Sequence, residues 1–403
     1  MTADQMSIAN ALRAAHDDHD AVVKLTQELV RIPSRGGVDS YDPVLDYVAA
    51  WLGEHDLKVR RLTAAGGMTV ALVCEVTGAR PGPRYVLDAC LDTAPYGDEA
   101  AWSYPPTSGE LVDGWLHGRG ASDSKAGVAI FAHVLARLQA AREQLHGGVV
   151  LLLDVDEHTG AFGGAKAYFE GPDAPDHVDG VMIGYPGIAH VVTGGRGVLR
   201  ARLHVHGVAS HSGGRASTPS AIAKAATLIG ALGDVELPPT AGEDFPLPAK
   251  LTVTAITGGE GYSTVPDLCT LNVDVRLTPA LDGQAAEDLL RSTAIAVDAA
   301  WPGTQPTHIE ITTRWPAYRL GEGSAVKTAL LQAAAAAGLS TAAKIAGPSN
   351  IGNYLAGLGI EATAGFGVDY VGLHGTDERI RTASIPMIQA VYHHALLTLL
   401  SAR

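Results

Sequence analysis

The sequence predicts an α/β protein: a catalytic domain with a mostly parallel sheet flanked by helices, plus an inserted α+β domain. Three observations carry this. Continuous apolar runs, the mark of strands covered on both faces, occur at residues 85–91, 148–155 and 180–184. Near Gly195 the pattern changes, and residues 199–206 and 269–277 alternate apolar with polar, as strands with one wet face do. Helical stretches at 217–232 and 283–300 then interleave with strands near 199–206, 251–257, 269–277 and 307–313. That β-α-β-β-α-β order is the ferredoxin-like sandwich.

The remaining elements fit this frame. Residues 20–32 carry apolar residues at helical spacing and stop at Pro33, and 43–56 reads as a second helix. Residues 125–144 place Val128, Phe131, Val134, Leu135 and Leu138 on one helical face. After Trp315 the α/β character returns, with a helix near 325–337 and a strand near Ile360. The expected division is therefore 1–193 and 313–403 for the α/β domain and 194–312 for the insertion.

A chain of 403 residues, 46% hydrophobic and 18% charged, can bury a large core in two domains. A net charge of −14 argues against nucleic acid or an anionic membrane as partner. There is no apolar run of about twenty residues, so no membrane span is expected. Residues 1–20 lack the basic start and apolar stretch of a signal peptide. Cys74, Cys90 and Cys269 are too widely spaced for a disulfide framework, and a reducing cytoplasm is the expected compartment.

Chemistry collects at the strand ends, where open α/β sheets bind ligands. Cys90 and Asp92 end one apolar run, Asp156-Glu157-His158 follow the next, and Tyr185 follows the third. Asp123, in Gly118-Arg119-Gly120-Ala121-Ser122-Asp123-Ser124-Lys125, precedes a helix in the same layer. Near the C-terminus comes Leu373-His374-Gly375-Thr376-Asp377-Glu378. Asp123 alone reads as a helix cap, and Asp156-Glu157 alone as a solvated turn. Carboxylates and imidazoles brought together from separate segments read as a metal-assisted hydrolase.

These residues resemble the M20 metallopeptidases, a family that includes deacetylases, desuccinylases and carboxypeptidases. The resemblance runs from Leu29-Val-Arg-Ile-Pro-Ser34 and Leu91-Asp-Thr-Ala-Pro95 through Asp113 to Lys125 and Asp156-Glu157. It continues in Gly207-Val-Ala-Ser-His-Ser-Gly213, Val265-Pro-Asp267 with Arg276, and His374 to Glu378. It implies a catalytic domain with an inserted dimerisation domain, hence a homodimer. It also implies zinc ions bridged by an aspartate at Asp123. Three positions depart from the pattern: Cys90 replaces a histidine ligand, His158 the second glutamate of a pair, and Tyr185 a glutamate before proline. Carried over, one metal would take Asp123, His158 and His374, a competent set for zinc or another divalent ion. A second would need Cys90, Asp123 and Tyr185, and a phenol with a pKa of about 10 replaces a carboxylate poorly. One zinc per subunit is the favoured expectation, with two as the alternative.

The resemblance further makes Glu157 the general base that takes a proton from the attacking water. It makes His211 an oxyanion donor reaching across the dimer. Asp92 would orient a histidine ligand, but beside Cys90 a water or a backbone amide is its expected partner. Arg276, Ser263, Ser349, Asn350 and Asn353 match substrate-binding positions. No arginine stands near Asn353, which argues against an acidic acyl group such as succinyl. The expected substrate is a small molecule with an amide bond and a carboxylate, an N-acyl amino acid or small peptide. Two other readings are Cys90-dependent acyl transfer or amide formation, and a catalytically decayed member that binds a ligand.

Overall fold

A computed structural model describes residues 7–401 except 65, 216 and 241, so the first six residues of the N-terminal stretch lie outside the described residues. The chain divides into two units. One comprises Met1–Thr193, Leu320–Lys344 and Gly359–Arg403, the other Gly194–Arg319 and Ile345–Leu358.

The first unit is built on a six-stranded sheet in the order Val59–Thr63, Thr69–Thr77, His146–Asp154, Arg80–Cys90, Gly180–Ile183, Ala362–Ala364. The last four strands are parallel to one another and the first two are antiparallel additions. That antiparallel edge is absent from the sequence reading, because the apolar run in Thr69–Thr77 carries no mark of strand direction. The central strands bury Val86, Leu87, Val149, Leu151, Leu152 and Leu153. They also bury Asp88 and Asp154, whose carboxylate oxygens find no hydrogen-bond partner among the described residues. Burial pushes Asp88 up to about 8, and burial plus Asp88 raises Asp154, so both lean to the neutral form.

Helices Ile8–Arg31, Ala126–Ala140 and Ile385–Leu399 pack on one another, while Asp42–Glu54 and Gly163–Phe169 pack on the edge strands. The first helix begins at Ile8, well before residue 20, with the Ser7 side chain as its cap. Its first half reads as polar because its partners are invisible in sequence. Asp18 accepts from Arg137 and Gln389, and Ala11 and Ala15 pack with Ala390.

The second unit is an antiparallel sheet in the order Lys250–Gly258, Leu268–Leu277, Gly197–His206, His308–Trp315. Helices Ala221–Gly233 and Gly283–Ala299 complete the β-α-β-β-α-β order. Alternate residues of the central strands, Leu199, Leu203, Val273 and Val275 among them, form its core with Leu228 and Leu290. The expected end at 312 needs correcting. The last strand stays in the ladder until Trp315, opposite Val198, and the unit continues to Arg319. Residues 345–358 also belong here, not to the first unit. Their anchor is Asn353, whose amide donates to the carbonyls of Gly195, Arg196 and Pro316.

No helix among the described residues is long and apolar enough to cross a membrane. Helix Ala126–Ala140 meets the sheet through Gly127, where an added Cβ would stand 2.4 Å from the Gly184 carbonyl oxygen. Gly127→Ala is expected to lower stability by roughly 1–3 kcal/mol, the range for overpacking. Gly53→Ala, in a helix with open space around that residue, is expected to be neutral or mildly stabilising. Urea unfolding of both variants checks the contrast.

Candidate metal centre

The turn that carries Asp123 is fastened to the loop that carries His374 by one buried ion pair. Arg119 donates to Glu378 Oε2 at 2.6 Å, with side chains 2% and 0% exposed. Glu378 Oε1 accepts from Ser122 through its N–H (2.9 Å) and hydroxyl (2.7 Å), and from Asp123 N–H at 3.4 Å. The other arm of Arg119 donates to the carbonyls of His374 and Gly375. Lys125 donates to the carbonyls of Leu29 and Ile32, tying the turn to the first helix. Gly120 permits the turn: its φ is +81°, and a Cβ there would meet the Thr93 side chain at 2.4 Å.

This framework brings three donors together. Asp123 Oδ2 lies 2.8 Å from His374 Nε2 and 3.5 Å from His158 Nε2. The donor atoms of Asp123, His158 and His374 all lie within 4.8 Å of one another. The buried ring nitrogens of His158 face carboxylates at ion-pair distance: Nε2 lies 3.5 Å from Asp123 Oδ2, and Nδ1 lies 3.4 Å from Asp92 Oδ2 and from Glu157 Oε2. Against the upward push of burial, His158 and His374 hold Asp123 below the usual carboxylate range. Burial lowers His158, but Asp123, Asp92 and Cys90 outweigh it and raise the imidazole above its ordinary value. The pocket is thus built to hold positive charge, and its donor set fits a divalent ion.

Asp92 sits beneath the neighbouring segment. Its two oxygens accept from the backbone N–H groups of Glu157 (3.1 Å) and His158 (2.9 Å). Burial first, and then the charge of Asp123, pushes Glu157 up to about 7. A carboxylate near that value can take up and release a proton at neutral pH. Glu157 Oε1 accepts from the Tyr185 hydroxyl at 2.7 Å, and Oε2 faces His158 Nδ1 at 3.4 Å.

Cys90 belongs to a second grouping with Asp92 and His158. Its sulfur lies 3.4 Å from Ser124 Oγ and 4.0 Å from Asp123 Oδ1. Burial, with Asp123 and Glu157 adding, pushes the thiol well above its ordinary value. That favours the protonated thiol and works against a nucleophilic Cys90.

The other sequence-predicted residues lie in the second unit. His211 and Ser263 are exposed there, joined by backbone pairing of their segments. Arg276 pairs with Asp274 and donates to Ser349 Oγ, which donates to the Arg196 carbonyl. Asn350 caps the helix Ile351–Gly357. Asn353 corrects its assignment to substrate: it is fully buried, and its amide is consumed by three backbone carbonyls. Sequence reasoning missed Lys250, which lines one groove with Arg196 and Arg276. It also missed the fastening roles of Arg119, Ser122, Lys125 and Glu378, although each lies inside a motif it quoted. Charged residues locked between glycines and serines in a turn were the available signal.

Comparison with known proteins decides the family. A model of peptidase family M20/M25/M40 matches residues 86–398. The chain belongs to this family. A succinyl-diaminopimelate desuccinylase of Cereibacter sphaeroides is 30% identical over 385 residues, covering 92% of this chain and 96% of that protein. A Staphylococcus aureus tripeptidase shares the fold with a TM-score of 0.74 at 21% identity, covering 94% of this chain and 98% of its own. So does a dinuclear metal-binding M20 peptidase of Bacillus subtilis, with a TM-score of 0.72 at 16% identity, covering 96% and 99%. This M20 chain is a metal-dependent hydrolase of amide bonds in small substrates.

Removing one partner of the buried pair leaves the other charge stranded. Glu378→Gln is expected to lose about 3–5 kcal/mol of stability and to weaken divalent-metal binding, because the His374 loop loses its anchor. Urea unfolding and zinc titration of the variant check both effects.

Proposed function

We propose that this chain cleaves an N-acyl amino acid or small peptide using one divalent ion per subunit, zinc first, held by Asp123, His158 and His374. The observation that supports this is the three-donor cluster itself, whose ligand atoms all lie within 4.8 Å of one another. Support for one ion rather than two comes from the other donors. Cys90 is buried with its thiol pushed up by desolvation, and the Tyr185 hydroxyl is engaged by Glu157.

A divalent ion in this position lowers the pKa of water and polarises the scissile carbonyl. Glu157 takes the proton shed by water as its oxygen bonds to the carbonyl carbon. It then delivers that proton to the nitrogen as the C–N bond breaks, leaving an acid and an amine. Asp92 keeps Glu157 and His158 in place through their backbone amides. In a cytoplasmic homodimer, His211 of the second copy would donate to the oxyanion and Arg276 would take the substrate carboxylate. The relatives act, by their names, on succinyl-diaminopimelate and on tripeptides. Without an arginine near Asn353, neutral acyl groups and short peptides suit this chain better than succinyl.

The test is a panel of N-acetyl amino acids, dipeptides and tripeptides, assayed with zinc on the full chain and on His374→Ala. The His374 side chain is 54% exposed, so its truncation should leave the fold intact. The variant is expected to lose its metal and on the order of 10³-fold or more in kcat/KM. Full turnover by His374→Ala contradicts the metal assignment.

A further inference from the structure

Tyr185 stands where the backbone is fixed on both sides. Gly184 N–H donates to the Asp88 carbonyl at 2.8 Å, Gly187 N–H to the Val368 carbonyl at 3.0 Å, and Gly367 N–H to the Gly187 carbonyl at 3.0 Å. Gly367 lies so close that a Cβ on it would be 2.4 Å from the Tyr185 carbonyl oxygen. A tyrosine on so constrained a backbone has few places to put its hydroxyl. That hydroxyl donates to Glu157 Oε1 at 2.7 Å, the length of a strong bond to a carboxylate.

Glu157 needs such a bond. The last torsion of a glutamate is broad, so a carboxylate without a fixed donor presents its two oxygens interchangeably and at varying angles. Asp92 holds the backbone of this segment through the N–H groups of Glu157 and His158, and its Oδ2 lies 3.4 Å from the His158 ring, so its bonds do not fix the Glu157 carboxylate. The approach of Oε2 to His158 Nδ1, at 3.4 Å, is too long to fix the group.

We infer that Tyr185 is a positioning residue for Glu157: it fixes Oε1, leaves Oε2 for proton transfer, and does so instead of binding metal. The inference rests on the function proposed above, in which Glu157 is the base. Misplacing a reacting group by about 1 Å can cost on the order of 100-fold in rate, so one hydroxyl can matter this much.

Tyr185→Phe keeps the ring and removes only the O–H. In the zinc-loaded full chain, zinc affinity measured by chelator competition is expected to stay within about threefold of wild type, whereas loss of a ligand's support would cost about 10–100-fold. A crystal structure of the loaded variant is expected to show the Glu157 carboxylate rotated or split between two conformers. With the best substrate from the panel, kcat is expected to fall roughly 10–100-fold with KM within about twofold. Adding Tyr185→Phe to Glu157→Gln is expected to cost little more than Glu157→Gln alone. A tenfold or greater loss of zinc affinity makes Tyr185 a ligand or a ligand's support and overturns the inference. An unmoved Glu157 carboxylate, unchanged kcat, or a loss that adds fully to that of Glu157→Gln overturns it too. Those results leave the proposed function standing if Glu157→Gln is itself inactive. Wild-type turnover in Glu157→Gln removes the base, and with it both the function and the inference.

Discussion

The buried pair of Arg119 and Glu378 is the constraint on which the site depends. It joins residues 259 positions apart, and the further bonds of Glu378 to Ser122 and of Arg119 to the Gly375 carbonyl fasten the same two loops. Buried ion pairs contribute little net stability, because desolvation offsets their attraction. Their value here is geometric. Glu378 orders the turn that aims Asp123, and Arg119 orders the carbonyls beside His374. His374 itself has a φ of +58°, a conformation a non-glycine residue keeps only when its surroundings hold it.

Around that anchor the chain sorts its polar groups by what can reach them. Asp123, His158 and His374 converge with their donor atoms within 4.8 Å of one another, a set that an ion can use. Ser124 and Lys125 are spent on backbone groups and set positions, while Asp92 holds the backbone of Glu157 and faces the His158 ring. Cys90 and Tyr185 differ from both sets. One is held as a buried thiol, and the other gives its hydroxyl to Glu157. The same apolar surroundings that suppress ionisation of Cys90 also raise Glu157 to about 7. One environment thus removes a thiolate and tunes a carboxylate.

The strands near the site were legible because burial on both faces writes an apolar run. The sequence also showed that polar residues follow those runs, which brought Asp123, Glu157, His158 and Tyr185 to one rim. It could not show the Tyr185–Glu157 bond, which depends on how two strand ends approach across a sheet. Nor could it separate Asn353 from a substrate ligand, since a polar residue in a loop looks alike in either role. Only the three carbonyls around Asn353 decide that. The start of the first helix was hidden for a related reason: Asp18 looks solvated until Arg137 and Gln389 are placed beside it.

The proposed function has the donor set of this chain hold one ion, whereas the Bacillus subtilis M20 peptidase is dinuclear. Metal content per chain, measured on protein purified without chelator with zinc, manganese, cobalt and iron all quantified, tests it most directly. About one ion per chain is expected, the stoichiometry of one three-donor set. About two ions per chain would contradict a single site, because Cys90 and Tyr185 would then be serving as ligands.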